Sequence, residues 1–176
     1  KGHMAKSQIV VRTLSGRSQQ GWLEFGPMRW PCALGRAGMT SRKREGDGAT
    51  PRGSFRLLYG YRRRDKFTLL ASSVRLMDIT PDLGWCDAPQ DRNYNRRVHH
   101  PYPASAERLW RGDGLYDCLV ILDYNTRPRA RARGSAIFLH IARQDFAPTE
   151  GCVALRKRDF RRLLSHVRRG TRLVIR

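Results

Sequence analysis

The chain has 176 residues and a formal net charge of +20, from 35 basic and 15 acidic residues. This length suits one domain with a hydrophobic core, and no apolar run is long enough to cross a membrane. A strongly basic surface attracts polyanions such as nucleic acid, anionic lipid or phosphate-bearing wall polymer.

Residues 1–3 are interpreted as the remnant of an expression tag, which leaves residues 4–176 as a single domain. No sustained apolar segment follows Met4, so no conventional signal peptide is expected.

Short strand-like segments dominate the sequence. They combine β-branched, aromatic and other apolar residues, and turn-forming residues separate them. The pair Gly26-Pro27 marks a turn between two strands within residues 21–35. The runs at residues 116–124 and 134–142 are apolar almost throughout, which is typical of strands buried on both faces. We predict further strands at residues 7–14, 53–62, 74–80 and 171–176.

Residues 156–170 form the one segment with a clear helical period. Their apolar positions fall at i, i+3, i+4 and i+7, and most of the remaining positions are basic. This pattern predicts one C-terminal amphipathic helix, whose buried face comprises Phe160, Leu163, Leu164 and Val167.

Residues 81–114 mix aromatic residues, Pro, Asn and charged residues with little apolar period. A long irregular segment within a compact domain is uncommon and tends to carry function. Within it, residues 104–110 predict a short helix capped by Ser105. The complete pattern predicts a mainly β domain, a sandwich or an open barrel, with one good helix and a long irregular loop region.

Four cysteines lie far apart in the sequence, at positions 32, 86, 118 and 152. No C-x-x-C pair is present, so a structural zinc site is not expected. An even number of cysteines permits disulfides, but the sequence does not determine their pairing. Cys118 lies in an apolar run and is predicted to be a small core residue.

His140 and Cys152 flank a loop that contains Pro148 and Gly151. If this loop folds back, a neutral imidazole can reach the thiol and take its proton, which makes the sulfur a nucleophile. Gly151 would leave room beside the sulfur for a substrate carbonyl and for backbone N–H groups that hold an oxyanion. Alternatively, both side chains are ordinary core residues, and spacing alone leaves the two interpretations open.

A second stretch, residues 35–55, is rich in glycine and leads into a predicted strand. Near its end it contains Thr50-Pro51-x-Gly53-x-Phe55. Considered alone, this stretch fits an ordinary surface turn.

Together with His140 and residues 149–153 (TEGCV), this stretch resembles the catalytic domain of the YkuD-type L,D-transpeptidases. The family pattern has a Gly-rich approach, Thr-Pro-x-Gly-x-Phe, a strand-borne histidine, and then [Ser/Thr]-x-Gly-Cys followed by an apolar residue. The order matches, and the resemblance covers residues 9–176. Either motif alone is weak, whereas the pair is specific. The Thr-Glu-Gly-Cys version indicates a divergent small subgroup.

The resemblance implies a mainly β catalytic domain with a cysteine nucleophile, no metal and no cofactor. It implies acyl transfer through a thioester, with peptidoglycan stem peptides as donor and as acceptor. Carried over onto this sequence, Cys152 is the nucleophile and His140 is the general base and acid. The backbone N–H of Cys152, with that of Gly151, would hold the oxyanion, and the carbonyl of Ile141 would orient the imidazole.

Two positions depart from the family pattern. Many members have His where this chain has Glu150, and Arg where it has Ala154. A carboxylate that faced the sulfur would disfavour the thiolate, so Glu150 is expected to point away, to pair with an arginine or to bind the acceptor amine. Arg143 or Arg156 would substitute for the missing arginine. The resemblance leaves open which stem-peptide bond is cut.

Candidate substrate contacts come from the cysteine motif and from the irregular segment. They are Thr149, Glu150, Arg143, Tyr94, Asn95 and His99. The competing interpretation of the last three is that they are half-buried or ordinary loop residues.

The main hypothesis is an L,D-transpeptidase of cell-wall biogenesis that contributes to cell shape and is acylated by carbapenems. A hydrolase (an L,D-carboxypeptidase) with the same dyad stays open, because water can replace the acceptor amine. A basic nucleic-acid-binding β domain is the third hypothesis, but the sequence shows neither a stacking motif nor a basic recognition helix. Nucleic acid is therefore not an expected partner. Peptidoglycan as the partner predicts a periplasmic or cell-envelope location.

Overall fold

The computed structural model describes residues 7–14, 17–69 and 71–176 of the chain. The predicted tag remnant, residues 1–3, lies outside these ranges. The described elements are β1 (Gln8–Leu14), β2 (Arg17–Phe25), β3 (Met28–Ala33), β4 (Met39–Thr40), β5 (Thr50–Pro51), β6 (Gly53–Arg62), β7 (Leu76–Asp78), β8 (Leu83–Cys86), β9 (Arg97–His99), β10 (Ala106–Arg108), β11 (Cys118–Leu122), β12 (Phe138–Ile141), β13 (Val153–Leu155), α1 (Lys157–His166) and β14 (Arg172–Ile175).

The main sheet closes on itself. Its nine strands run in the order β11-β12-β13-β3-β2-β1-β14-β6-β7, and β11 also pairs with β6. The first and the last of the described strands are neighbours in this barrel, because β1 and β14 pair in parallel with Val10 opposite Val174. The mainly β prediction is confirmed, and the additional β11–β6 pairing makes the barrel closed.

Strands β11, β12 and β13 separate two hydrophobic cores. Side chains alternate along a strand, so neighbouring residues face opposite sides of the sheet. Val120 and Leu139 contribute to the first core, whereas Leu119 and Phe138 contribute to the second. Every residue of these three strands is buried. Burial on both faces therefore explains the nearly continuous apolar runs in the sequence.

Helix α1 closes the first core. Its residues Phe160, Leu163 and Leu164 are fully buried there, on the face that the helical period predicts. The helix ends at His166, because Val167 adopts an extended conformation and enters the same core. Across the described ranges, no helix has the length and apolarity needed to span a bilayer.

The segment at residues 81–114 is more ordered than the sequence indicates. It contains β8, β9 and β10, which form a separate sheet in the order β10-β8-β9. The predicted short helix at residues 104–110 is wrong, since Ala106 lies in β10 opposite Cys86 and Ser105 caps no helix. Pairing with β8 outweighs the weak local helix preference. Trp85 of β8 belongs to the second core, so the three-stranded sheet covers that core.

The four cysteines all lie in the described part of the chain, and each is a buried free thiol. Cys118 belongs to the first core, which confirms its predicted role as a core residue. Burial raises the pKa of Cys32 to about 12 and raises that of Cys118 further. These two thiols are therefore protonated at neutral pH.

Replacing Leu163 by Ala should lower the free energy of unfolding by about 2–5 kcal/mol, because the truncation leaves a cavity in the first core. Leu163 is 0% exposed. Urea denaturation measures the loss. Arg162→Ala is the matched control on the exposed face of α1, where a change within about 0.5 kcal/mol is expected. Equal losses for the two variants would contradict the packing described for α1.

Candidate active site

A cavity of about 490 Å³ has both His140 and Cys152 in its wall. Leu115 and Tyr116 of the second core line it as well, so it opens on the second-core side of the barrel. The wall carries charges of both signs, from Lys43, Glu45, Asp87, Glu107, Arg111, Arg143 and Glu150.

Parallel pairing of β12 with β13 brings His140 and Cys152 to the same cavity. In this register His140 lies opposite Ala154, two residues beyond Cys152. Because side chains alternate, His140 and Cys152 share the face that looks away from Leu139 and Val153. Residues 142–152 connect the two strands, a length that a parallel crossover requires.

His140 is held as a neutral imidazole with a defined tautomer. Its Nδ1 lies 2.9 Å from the carbonyl oxygen of Ile141. A carbonyl only accepts, so Nδ1 carries the proton and Nε2 keeps a free lone pair. Burial lowers the pKa of His140 to about 4, although the hydrogen bond to Ile141 opposes this shift. The ring of Tyr116 packs edge-on against the imidazole, with centroids 5.2 Å apart.

Cys152 is held as a neutral thiol at the end of the loop. Its Sγ accepts the backbone N–H of Phe138 at 3.3 Å and donates to the carbonyl of Ala136 at 3.2 Å. Burial raises the pKa of this thiol to about 12. Within the described ranges, no hydrogen bond joins this thiol to the imidazole of His140. Proton transfer therefore requires the thiol to turn from Ala136 towards His140.

The turn before Cys152 is built by Thr149 and Gly151. The hydroxyl of Thr149 donates to the carbonyl of Cys152 at 2.7 Å and accepts the N–H of Gly151 at 3.1 Å. The N–H of Gly151 is therefore engaged, and its oxyanion role stays a prediction. Gly151 has a φ of +138°, and a Cβ there would lie 2.8 Å from the carbonyl oxygen of Ala49. The close backbone approach thus requires glycine at this position.

The two sequence motifs of the resemblance are neighbours in the structure. The hydroxyl of Thr50 accepts the N–H of Gly35 at 2.9 Å. Gly35 in turn forms a parallel bridge with Thr149. The backbone N–H of Arg36 donates to the carbonyl of Thr149 at 2.8 Å. The Thr-Pro stretch therefore supports the loop that carries Cys152.

Glu150 and Arg143 lie at the rim of the cavity. The side chain of Glu150 is 81% exposed, and its Oε2 lies 3.0 Å from Nε of Arg36. The carboxylate thus pairs with an arginine, one of the three arrangements expected for it. Arg143 is half exposed and lies 4.0 Å from a carboxylate oxygen of Asp113. Contact of either side chain with substrate stays a prediction.

Tyr94 and Asn95 do not line the cavity and instead support its wall. The hydroxyl of Tyr94 donates to Glu45 at 2.7 Å and accepts the N–H of Gly134 at 3.0 Å. Oδ1 of Asn95 accepts the N–H of Ala136 at 3.0 Å. These bonds hold the segment whose Ala136 carbonyl contacts the thiol.

His99, the remaining candidate substrate contact, lies in β9. Its side chain is largely exposed, and Nδ1 lies 3.1 Å from Asp82. It is not among the residues that line the cavity. The structure therefore brings three of the six candidate substrate residues to the cavity, namely Thr149, Glu150 and Arg143.

Sequence reasoning missed most of the cavity wall, including Lys43, Glu107 and Tyr116. The hydroxyl of Tyr116 donates to Glu107. Desolvation raises the pKa of Glu107 and holds that of Tyr116 well above its ordinary value. Nothing local in the sequence separates these residues from the many other charged and aromatic positions.

Within residues 7–14, 17–69 and 71–176, no group of His, Cys, Asp or Glu side chains could hold a metal ion.

A comparison with models of protein families identifies one family. The model of the YkuD family, described as the L,D-transpeptidase catalytic domain, matches residues 18–175. No curated protein and no solved structure gives a significant match to the chain. The matched range includes the Thr-Pro stretch, His140 and Cys152. The chain therefore belongs to the YkuD family of L,D-transpeptidase catalytic domains.

Proposed function

We propose that this chain is a cysteine acyltransferase that acts on peptidoglycan stem peptides, with Cys152 as the nucleophile. The observation that carries the proposal is the placement of His140 and Cys152 in the wall of one cavity, with Nε2 of the imidazole free to accept a proton. Membership in the family supports peptidoglycan as the substrate and the cell envelope as the location.

In the first step, the thiol of Cys152 turns to His140 and gives its proton to Nε2. The sulfur attacks the substrate carbonyl beside a D-configured centre, and a carbon–sulfur bond forms while the carbonyl electrons move to oxygen. When the tetrahedral intermediate collapses, the amide carbon–nitrogen bond breaks. The imidazolium of His140 returns its proton to the leaving amine, and a thioester remains on Cys152.

In the second step, an amine of another stem peptide attacks the thioester. His140 accepts the amine proton and returns it to the departing thiolate, so a new amide forms and the free thiol is restored. Glu150, exposed at the rim of the cavity beside Arg36, is the proposed carboxylate that attracts the acceptor as an ammonium group, which loses one proton to solvent before it attacks. Water in place of the amine would make the enzyme an L,D-carboxypeptidase, and the same dyad serves both reactions.

Mixed charge in the cavity wall supports a peptide substrate with free carboxylate and ammonium groups. Arg111 and Arg143 are cations there, and Glu45 and Glu107 are acidic groups. Stem peptides carry both kinds of group, so such a wall can orient them. The proposed role is cross-linking or remodelling of the cell wall, with an effect on cell shape.

Incubation with a carbapenem should add the mass of one carbapenem molecule to the protein, because the strained lactam acylates the nucleophile. Intact mass spectrometry measures the adduct, which should be absent from Cys152→Ala. Cys118→Ala is the matched control, since Cys118 lies in the first core and should not affect acylation. An adduct that survives Cys152→Ala, or no adduct on the unmodified protein, would reject Cys152 as the nucleophile.

The rate of carbapenem acylation should follow the protonation of His140. Above its pKa of about 4 the imidazole is neutral and can act as the base, so the rate falls only as pH drops through that value. The thiol, with a pKa of about 12, stays protonated at neutral pH, which predicts a broad plateau. Initial rates across pH, with circular dichroism as the control for folding, test this. An acid limb centred near pH 6.5, the ordinary value for histidine, would contradict it.

A further inference from the structure

Lys43 is a buried cation in the wall of the cavity that contains Cys152. Its side chain is 4% exposed, whereas basic side chains usually keep their charged ends in water. Removing an ammonium group from water is costly unless a partner compensates the charge. Its position beside the nucleophile therefore raises the question of what this charge does.

Asp47 holds the ammonium group in place. Nζ of Lys43 donates to Oδ1 of Asp47 at 2.5 Å, and Asp47 also accepts the backbone N–H groups of Ala49 and Arg44. Burial alone would raise the pKa of Asp47, but the hydrogen bonds from Lys43, Ala49 and Arg44 lower it. Asp47 is therefore a carboxylate at neutral pH, and the ion pair is fixed on a short loop.

Two glycines give the lysine side chain its path to the cavity. Gly134 has a φ of +113°, and a Cβ there would lie 3.1 Å from both Cγ and Cε of Lys43. At the far end, a Cβ on Gly151 would lie 3.4 Å from Nζ. The ammonium group thus lies beside the turn that immediately precedes Cys152, and both residues line the same cavity.

We propose that Lys43 stabilises the negative charge that develops on Sγ of Cys152 and on the substrate carbonyl oxygen during acylation. This role rests on the acyl transfer proposed above. The resting dyad is neutral, so charge must separate within a buried site. A fixed cation acts more strongly there than in water, and it needs no reorganisation at the moment of reaction.

The other cations at the cavity are less suited to this role. Arg36 and Arg143 are each 50% exposed, so solvent screens them. Arg111 is paired with Asp113, as Lys43 is with Asp47, but its side chain is 31% exposed against 4% for Lys43. Lys43 also lowers the pKa of Cys152, an effect that burial of the thiol outweighs.

Lys43→Met tests the proposal, because it keeps the aliphatic side chain and removes the charge. The rate of alkylation of Cys152 by iodoacetamide, followed by peptide mass mapping between pH 7 and pH 10, reports the thiolate fraction. We expect alkylation of Lys43→Met to be about ten-fold slower at each pH, and Lys43→Arg to stay within about three-fold of the unmodified protein.

The controls separate charge from packing. Thermal unfolding checks that each variant is folded, and Lys43→Gln, whose amide can still donate to Asp47, replaces Lys43→Met if that variant does not fold. An unchanged alkylation rate in the folded neutral variant would overturn the proposal. An equal loss in Lys43→Arg would also overturn it, because it would assign the effect to packing.

The alkylation assay uses no peptidoglycan or carbapenem, so its outcome is independent of the proposed acyl transfer. If Cys152 is not acylated by a carbapenem although Lys43→Met slows its alkylation, the proposed function fails. The stabilisation of negative charge on Sγ by Lys43 then stands. If Cys152 is acylated but its alkylation is unchanged in Lys43→Met, only the role of Lys43 fails.

Discussion

The parallel pairing of β12 with β13 is the constraint on which the candidate site depends. This pairing sets His140 opposite Ala154 and delivers Cys152 to the same face of the sheet, next to the cavity. It also forces the chain through the loop at residues 142–152, whose last turn the Thr-Pro stretch supports through Gly35. A strand register shifted by one residue would turn His140 towards the first core and separate it from the thiol.

Burial of the dyad has a chemical consequence. Desolvation lowers the pKa of the imidazole and so keeps it neutral at pH 7, and the same desolvation raises the pKa of the thiol and keeps it protonated. His140 and Cys152 therefore form no ion pair with each other in the resting state, and in the proposed reaction the negative charge has to arise during attack. In the proposed reaction, fixed charges and dipoles in the wall of the site stabilise this negative charge. The Lys43–Asp47 pair supplies a fixed charge, and the N–H of Phe138, which donates to Sγ, supplies a fixed dipole.

Much of the fold could be predicted from the sequence, because buried strands and amphipathic helices leave apolar periods. The predicted strand at residues 53–62 matches β6, and the apolar face of α1 was identified correctly. The β10 segment was missed, since its pairing with β8 depends on residues distant in sequence. The dyad could be proposed from two motifs. The place of Lys43 in the cavity could not be predicted, because nothing local in the sequence shows which of the 35 basic residues is buried.

The central claim is that Cys152 transfers acyl groups of peptidoglycan. Purified sacculi, incubated with the protein and then digested to muropeptides, test it most directly by liquid chromatography and mass spectrometry. We expect new cross-linked or trimmed muropeptides after incubation with the unmodified protein, and we expect none of them after incubation with Cys152→Ala. Cross-linked products would identify a transpeptidase, and trimmed products alone a carboxypeptidase. A muropeptide profile that is the same with the protein, with Cys152→Ala and without either would contradict the claim.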